Sequence, residues 1–352
     1  MPNPPVPPPG VPVLVLNGPG LDPLGLPFRH PSHVPAVAGT VIRGAGAHGH
    51  APAPAHLAHL LEEEPMSPDS YLVGLIGSGI GPSLSPALHE READRQGLRY
   101  LYRLIDIGAL GVPPERTGEL VRSARDMGYD GLNVTHPCKQ QVLAHLDALS
   151  PQAEALGAVN TVVFEGDRAI GHNTDATGFA ASFARGLPDA RLERVVQLGA
   201  GGAGAAVAHA LLALGAGRLT VLDALPDRAA ALAASLNHHF GPGRAAAADL
   251  LDIAARTSGA DGLVNATPIG MAAHPGLPLP ADLLHPALWV AEVVYRPLET
   301  TLVRTARALG CPTLDGGGMA AYQAADSFRL FTGREPDTAR MLDDIADLTS
   351  AH

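Results

Sequence analysis

Two stretches of the chain alternate short apolar runs with helical periodicity, and both read as strand and helix series. From Tyr71 the runs Leu72 to Ile76, Tyr100 to Ile105, Gly131 to Val134 and Ala158 to Phe164 are strand candidates with helical segments between them. A second series begins at Arg194, with strand candidates Val195 to Leu198, Leu219 to Leu222, Gly262 to Asn265 and Trp289 to Val294. Parallel strands linked by helices form a doubly wound sheet, so the expected fold class is α/β. From Gly318 to His352 the pattern is that of two helices, one carrying Gln323 and Phe328. Their return to the first domain would leave a cleft between the two.

Residues 1 to about 66 differ. They are rich in proline, glycine and histidine, with a strand candidate at Val13 to Leu16 and a helix candidate around Ala55 to Glu64. Such a stretch cannot build a domain by itself. The predicted organisation is therefore 1–66 as a separate segment, 67–176 with 318–352 as one domain, and 177–317 as the other, within the two or three units that 352 residues suggest.

Composition narrows the function. Acids outnumber bases by 35 to 24 for a net charge of −11, with no basic run, which disfavours nucleic-acid binding. The two cysteines, Cys138 and Cys311, fit neither a disulfide framework nor a metal spacing, so a reduced, cytoplasmic protein is expected. The start MPNPPVPPPG has no basic n-region and no apolar stretch approaches ~20 residues, which disfavours secretion and membrane spanning. His48, His50, His56 and His59 invite a metal reading, but no carboxylate or cysteine completes a site, so no metal is expected.

Lys139 is the only lysine among 24 basic side chains. Chance in an arginine-biased chain is one explanation. The other is a position that needs an amine able to exchange a proton, which arginine cannot do. Around it in sequence gather Ser83, Ser85, Asn133, Thr135, Asn160, Asn173 and Asp175 at strand and loop ends. Neutral donors and acceptors beside one lysine and one carboxylate suit a small polyhydroxylated substrate. Each also has a plainer role as a cap or turn former. Cys138 reads as a small buried filler, or as an alkylatable thiol if exposed.

The strand Val195 to Leu198 runs straight into Gly199, Ala200, Gly201, Gly202, Ala203 and Gly204, and then into an apolar helix. Strand, glycines and helix in this order provide the tight turn, close backbone approach and helix N-terminus that a dinucleotide pyrophosphate needs. The next strand ends in Asp223, where a carboxylate can accept hydrogen bonds from ribose hydroxyls and repel a 2′-phosphate. That favours NAD over NADP; Arg228 weakens the preference, and a turn or capping role for Asp223 is the alternative.

At this point the residues carry a family resemblance. Residues 71 to 349 resemble shikimate and quinate/shikimate dehydrogenases, through GLIGSGIGPSLSPALHE, GLNVTHPCKQ, LGAVNTVV, GHNTDATGF, VVQLGAGGAGAAV, VNATPIGM, VAEVVYRPLET and GGGMAAYQAADSFRLFTG in the same order. The resemblance implies an N-terminal α/β substrate-binding domain, a doubly wound Rossmann NAD(P)-binding domain and an active site between them. It implies hydride transfer between nicotinamide and the ring carbon that interconverts 3-dehydroshikimate and shikimate, with Lys139 and Asp175 as the catalytic pair. Ser83 and Ser85 would hold the substrate carboxylate, with Tyr295 closing that side. Asn133, Thr135, Asn160 and Gln323 would bind ring hydroxyls or position Lys139. Asn265, Thr267 and Met271 match the loop near the nicotinamide, with Val294, Gly318 and Met319 close to the same ring. The implied partners are small molecules only, in a monomer or homodimer.

Several positions bear on specificity. Glu292 stands where the family usually has aspartate. The pair of Ser83 and Ser85 is more typical of shikimate-selective members, whereas Asp223 and the REP-containing end resemble the NAD-using quinate/shikimate group. Separately, VLVLNGPGLDPLG and FRHPSHVPAVAGTVIRGAGAHGH resemble the opening and closing segments of type II 3-dehydroquinases, joined without the middle. That suggests an inactive remnant of residues ~12–62. Two rival readings stay open: a catalytically inactive metabolite sensor, against which the intact Lys139 and Asp175 count, and a bifunctional dehydroquinase–dehydrogenase, against which the missing middle counts.

Overall fold

The computed structural model describes residues 69–350. The strand and helix expected at Val13 to Leu16 and Ala55 to Glu64, the four N-terminal histidines and the dehydroquinase-like segment lie outside the described residues.

The first sheet comprises β1 (Ser70–Gly77), β2 (Arg99–Asp106), β3 (Gly131–Val134), β4 (Ala148–Leu149), β5 (Thr161–Glu165) and β6 (Arg168–His172), in the order β2-β1-β3-β5-β6-β4. β1 lies parallel to both β2 and β3, while β5 runs antiparallel to β3 and β6. The second sheet, β7 (Arg194–Leu198), β8 (Arg218–Leu222), β9 (Ala245–Ala248), β10 (Gly262–Asn265), β11 (Trp289–Glu292) and β12 (Thr313–Leu314), is parallel throughout in the order β12-β11-β10-β7-β8-β9. Its order reverses between β7 and β10, and ligands of such sheets bind at the strand C-terminal ends beside that switch.

Helices α1 (Ser85–Arg95), α2 (Ile107–Leu110), α3 (Thr117–Asp126) and α4 (Pro151–Leu156) accompany the first sheet. α5 (Asp175–Gly186) leads into the second, which carries α6 (Gly202–Ala213), α7 (Pro226–Phe240), α8 (Ile253–Thr257) and α9 (Thr301–Ala308). The chain ends in α10 (Gly316–Thr332) and α11 (Thr338–Ser350), and α10 packs on α5, α1, β1 and β5. Phe328 and Phe331 of α10 fill the first sheet's core against Val73, Leu75 and Tyr100. The second sheet is covered on both faces, by Val207 and Leu211 of α6 on one side and Leu302 and Ala306 of α9 on the other. Burial on both faces explains why its strands read as continuous apolar runs.

Several boundaries differ from the sequence expectation. The strand expected from Ala158 begins only at Thr161, because the Val159 amide donates to the Lys139 carbonyl at 2.9 Å instead of joining a ladder. The strand expected to reach Val294 stops at Glu292, whose side chain turns back to accept the Val294 amide at 3.0 Å. Four strands were not foreseen. β4 and β12 have two residues each, β6 carries Arg168, Gly171 and His172, and β9 is four alanines drawn into an edge by pairing with β8. Alanine favours helix, so tertiary pairing overrides local propensity there. The helix expected from Gly318 starts two residues earlier, where Asp315 Oδ1 accepts the Gly317 amide at 3.1 Å.

Candidate active site

Lys139 follows β3 in a turn fixed at both ends, with the Thr135 amide on the Ile76 carbonyl at 2.9 Å and the Lys139 carbonyl accepting from Val159. Asp175 is the first residue of α5. Asn173, two residues earlier, accepts the Asp175 amide at 3.1 Å and anchors itself by donating to the Ala158 carbonyl at 3.0 Å. These two turns bring Lys139 Nζ to 2.5 Å from Asp175 Oδ2, with both side chains largely shielded from water. The other carboxylate oxygen, Oδ1, accepts from Asn160 Nδ2 at 3.0 Å. The ammonium is thereby aimed by a carboxylate that is itself held in place.

Behind the pair lies a buried polar network. Asn160 Oδ1 accepts from the Thr174 amide at 2.8 Å and from Thr161 Oγ1 at 3.0 Å, while its Nδ2 donates to Thr174 Oγ1 at 2.9 Å. Asn133 Oδ1 accepts from the Tyr102 hydroxyl at 2.7 Å, and its Nδ2 donates to Thr161 Oγ1 and Ser327 Oγ, both at 3.1 Å. Ser327 also meets Thr161 at 3.0 Å and Thr174 at 3.1 Å, and donates to the Gln323 carbonyl at 2.9 Å. Asn133 and Asn160 are buried and their amide hydrogens are engaged within the protein. In this arrangement Asn160 holds Asp175 and Asn133 ties the network to the first sheet. Tyr102, Thr161, Thr174 and Ser327 were not singled out from the sequence. The available signals were Ser327 one helical turn after Gln323, and Thr161 and Thr174 adjoining Asn160 and Asp175.

Ser83 and Ser85, 3.2 Å apart through their hydroxyls, sit at the start of α1. Tyr295, just beyond β11, reaches the same place from the second sheet. The neighbouring Arg296 donates from Nη1 to the Pro82 carbonyl at 2.6 Å. Burial pushes the Tyr295 and Tyr102 phenols up, so both remain neutral hydrogen-bonding groups. Thr135 and Gln323 are partly exposed, and Gln323 Nε2 donates to the Ala320 carbonyl at 3.1 Å.

The glycine loop fits a dinucleotide phosphate. Gly199 has φ +97°, a conformation that side chains disfavour, and a Cβ at Gly204 would collide with the Gly199 carbonyl. Gln197, fully buried on β7, locks this turn by donating to the carbonyls of Gly199 at 2.9 Å and Gly204 at 2.8 Å. Gly201 has open space where a Cβ would point, and at Gly202 the nearest atom to a built Cβ is Lys139 Cδ at 3.5 Å. The helix N-terminus of α6, with its free amides, thus opens beside the lysine. Asp223 accepts the Ala200 amide at 2.7 Å and the Leu225 amide at 2.8 Å, which fixes its carboxylate in the turn after β8, beside the glycine loop. Ala203 lies within the first turn of α6, and Arg228 is exposed near the start of α7.

At the end of β10, Asn265 Oδ1 accepts from the Thr267 amide at 3.1 Å and hydroxyl at 2.6 Å, ordering the loop that carries the exposed Met271. Val294 and Met319 are buried close by: a Cβ at Gly316 would lie 2.6 Å from the Val294 carbonyl. α10 approaches α5 through glycines, since a Cβ at Gly178 would lie 2.7 Å from the Gln323 amide and one at Gly318 would strike Ser182. One helix therefore touches the ends of both sheets. Among the described residues no group of three or more histidine, cysteine or acidic side chains could hold a metal ion.

Residues 75–162 match the shikimate dehydrogenase substrate binding domain, and residues 316–343 match the shikimate 5′-dehydrogenase C-terminal domain. A shikimate dehydrogenase (NADP(+)) of Streptomyces avermitilis is 79% identical over 283 residues, 80% of this chain and 97% of that protein. A quinate/shikimate dehydrogenase (NAD(+)) of Corynebacterium efficiens is 51% identical over 277 residues, 78% of this chain and 98% of that protein. The solved quinate dehydrogenase from Corynebacterium glutamicum, in complex with NAD, superposes with a TM-score of 0.76 at 48% identity, covering 79% of this chain and 99% of its own. A mixed α/β fold of two sheets, the Lys139–Asp175 pair beside a glycine loop, and these likenesses lead to one conclusion: the chain belongs to the shikimate dehydrogenase family.

Proposed function

We propose that this protein is an NAD-preferring shikimate dehydrogenase that reversibly reduces 3-dehydroshikimate to shikimate and accepts quinate as a second substrate. The observation that carries the reading is the Lys139–Asp175 ion pair at 2.5 Å beside the opening of the glycine loop. The substrate-binding part would comprise residues 67–176 and 318–352, and the cofactor-binding part residues 177–317. Both described cysteines are free, in keeping with a reduced cytoplasmic enzyme, and no helix among the described residues is long and apolar enough to cross a membrane. A monomer or homodimer acting on small molecules is the proposed form.

The bound nicotinamide supplies or accepts the hydride. In reduction, Lys139 donates a proton from Nζ to the carbonyl oxygen as negative charge grows there; in oxidation its neutral amine takes the hydroxyl proton. Asp175 Oδ2 keeps Nζ on target, and Asn160 holds the other oxygen so that the carboxylate does not rotate away. Ser83, Ser85 and Tyr295 would receive the substrate carboxylate, and Asn133, Thr135, Asn160 and Gln323 would bind the ring hydroxyls or position Lys139. Gly199 to Gly204 would receive the pyrophosphate, and Asn265, Thr267, Met271, Val294, Gly318 and Met319 would surround the nicotinamide.

Relatives differ in the cofactor their names carry: NADP(+) at 79% identity, NAD(+) at 51%. Support for NAD comes from Asp223, whose carboxylate is fixed by the Ala200 and Leu225 amides at the end of β8. A 2′-phosphate placed there would meet a fixed negative charge. The test is product identification: 3-dehydroshikimate and NADH incubated with the full chain should yield shikimate, and an absence of product with either NADH or NADPH would refute the reading.

A further inference from the structure

Glu292 ends β11 as a buried carboxylate that faces no cation among the described residues. The residue is 2% exposed, and the polar groups that meet its carboxylate are hydrogen-bond donors. Oε1 accepts from Asn265 Nδ2 at 2.9 Å and the Val294 amide at 3.0 Å; Oε2 accepts from Asn265 Nδ2 at 3.1 Å and Thr300 Oγ1 at 3.0 Å. Each partner begins a different segment. Asn265 also donates to the Ile269 carbonyl at 2.9 Å and organises Thr267, so it shapes the whole loop after β10. Val294 opens the segment leading to Tyr295 and abuts Gly316 at the head of α10. Thr300 caps α9 by accepting the Val303 amide at 3.2 Å. The loop's Gly270 comes equally close, with a built Cβ 3.5 Å from Glu292 Oε2.

We propose that Glu292 is a positioning residue for cofactor binding, fastening the Asn265–Met271 loop, the Val293–Tyr295 segment and the start of α9 to one buried point. This rests on the reading that these segments surround the nicotinamide. The side chains that meet the carboxylate from β10, β11 and α9 are neutral, so its ionisation is governed by burial against three donors. Burial pushes the Glu292 carboxyl up to about 7, and the donors from Val294, Asn265 and Thr300 oppose it. The ionised form matches all its partners. A protonated carboxyl accepts more weakly from Asn265 and the Val294 amide, and its own hydrogen has only the Thr300 hydroxyl, already accepting from Val303, to go to, so the grip loosens.

The experiment titrates NADH into the full-length protein by fluorescence between pH 6 and pH 8.5, for wild type, Glu292→Gln and Glu292→Asp, with KM for shikimate measured alongside. Wild type should bind NADH about three- to tenfold more tightly at the alkaline end, the scale of one hydrogen bond to a charged group. Glu292→Gln, which presents an amide to the same donors, should bind NADH at the weak level throughout, with KM for shikimate raised by a smaller factor, because Ser83 and Ser85 still hold that acid and only Tyr295 lies on the loosened segment. Glu292→Asp should restore part of the affinity and the pH dependence. If Glu292→Gln does not fold, Thr300→Val removes one donor while keeping shape, and should weaken NADH binding at high pH but not at low. NADH affinity independent of pH in wild type, or unchanged in the variants, would overturn the positioning role. An absence of NADH binding by folded wild type would overturn the functional reading as well, which separates the two failures.

Discussion

Replacing Lys139 by methionine keeps an unbranched side chain one atom shorter and removes the charge and the proton. The loss can be sized from what surrounds Nζ. It lies 2.5 Å from Asp175 Oδ2, the lysine and aspartate side chains are 16% and 9% exposed, and after the substitution the carboxylate keeps only the Asn160 contact at 3.0 Å. Positioned proton transfer is worth ~10²–10⁴ in rate, so kcat for shikimate should fall by about 10³, equivalent to about 4 kcal/mol of barrier. The half-satisfied carboxylate should lower stability by about 1–3 kcal/mol, a shift of several degrees in Tm. Steady-state rates of NADH formation, with KM for shikimate and NAD measured separately, read the first number, and thermal unfolding reads the second. A folded Lys139→Met protein that turns over shikimate within tenfold of wild type would refute the assignment of the proton to this lysine.

Three further outcomes follow from other parts of the site. Asp223→Ala should lower the ratio of kcat/KM for NAD over NADP by about tenfold or more, because a fixed charge leaves the 2′ position and the Ala200 amide loses its acceptor; an unchanged ratio removes the ribose role. Ser327→Ala should cost about 1–3 kcal/mol in urea unfolding and reduce kcat more than KM, since Asn133 Nδ2 and the Thr174 hydroxyl lose a buried partner behind Asn160; full stability with unaltered kcat would contradict the network. Glu292 makes stability depend on pH with a definite sign. Its carboxyl is raised from 4.5 to about 7 on folding, so the benefit of burying the neutral form is complete below 4.5 and is lost as pH rises through 7, a fall of about 3 kcal/mol that Glu292→Gln should abolish. Parallel slopes for wild type and variant between pH 4.5 and 7 would show that the carboxyl does not titrate across that window.

Much of the site was legible because its chemistry concentrates in unusual residues. A single lysine, a glycine run between strand and helix, and a carboxylate at the end of the next strand each carry a signal that needs no tertiary information. The doubly wound sheet was legible for a similar reason, since burial on both faces leaves continuous apolar runs. What escaped were features created by tertiary contacts. β9 is four alanines, helical by propensity and a strand only because β8 offers an edge. Ser327 is an ordinary helical serine until α10 lies across the first sheet and places it among Asn133, Thr161 and Thr174. Glu292 reads as a charged residue that ends a strand, and its burial among three donors depends on segments far apart in the chain. Asn133 and Asn160, matched from sequence to either substrate binding or support, have hydrogen-bond partners inside the protein that only the fold brings together.

The central claim is that Lys139, Asp175 and the glycine loop form a working NAD-linked shikimate oxidoreductase. The direct measurement is the initial rate of NAD reduction by the purified full-length chain with shikimate, beside quinate and beside NADP. The account predicts turnover of shikimate with NAD at a higher kcat/KM than with NADP, and a measurable rate with quinate. Folded protein that binds NADH and shikimate yet reduces neither cofactor with either acid would contradict it.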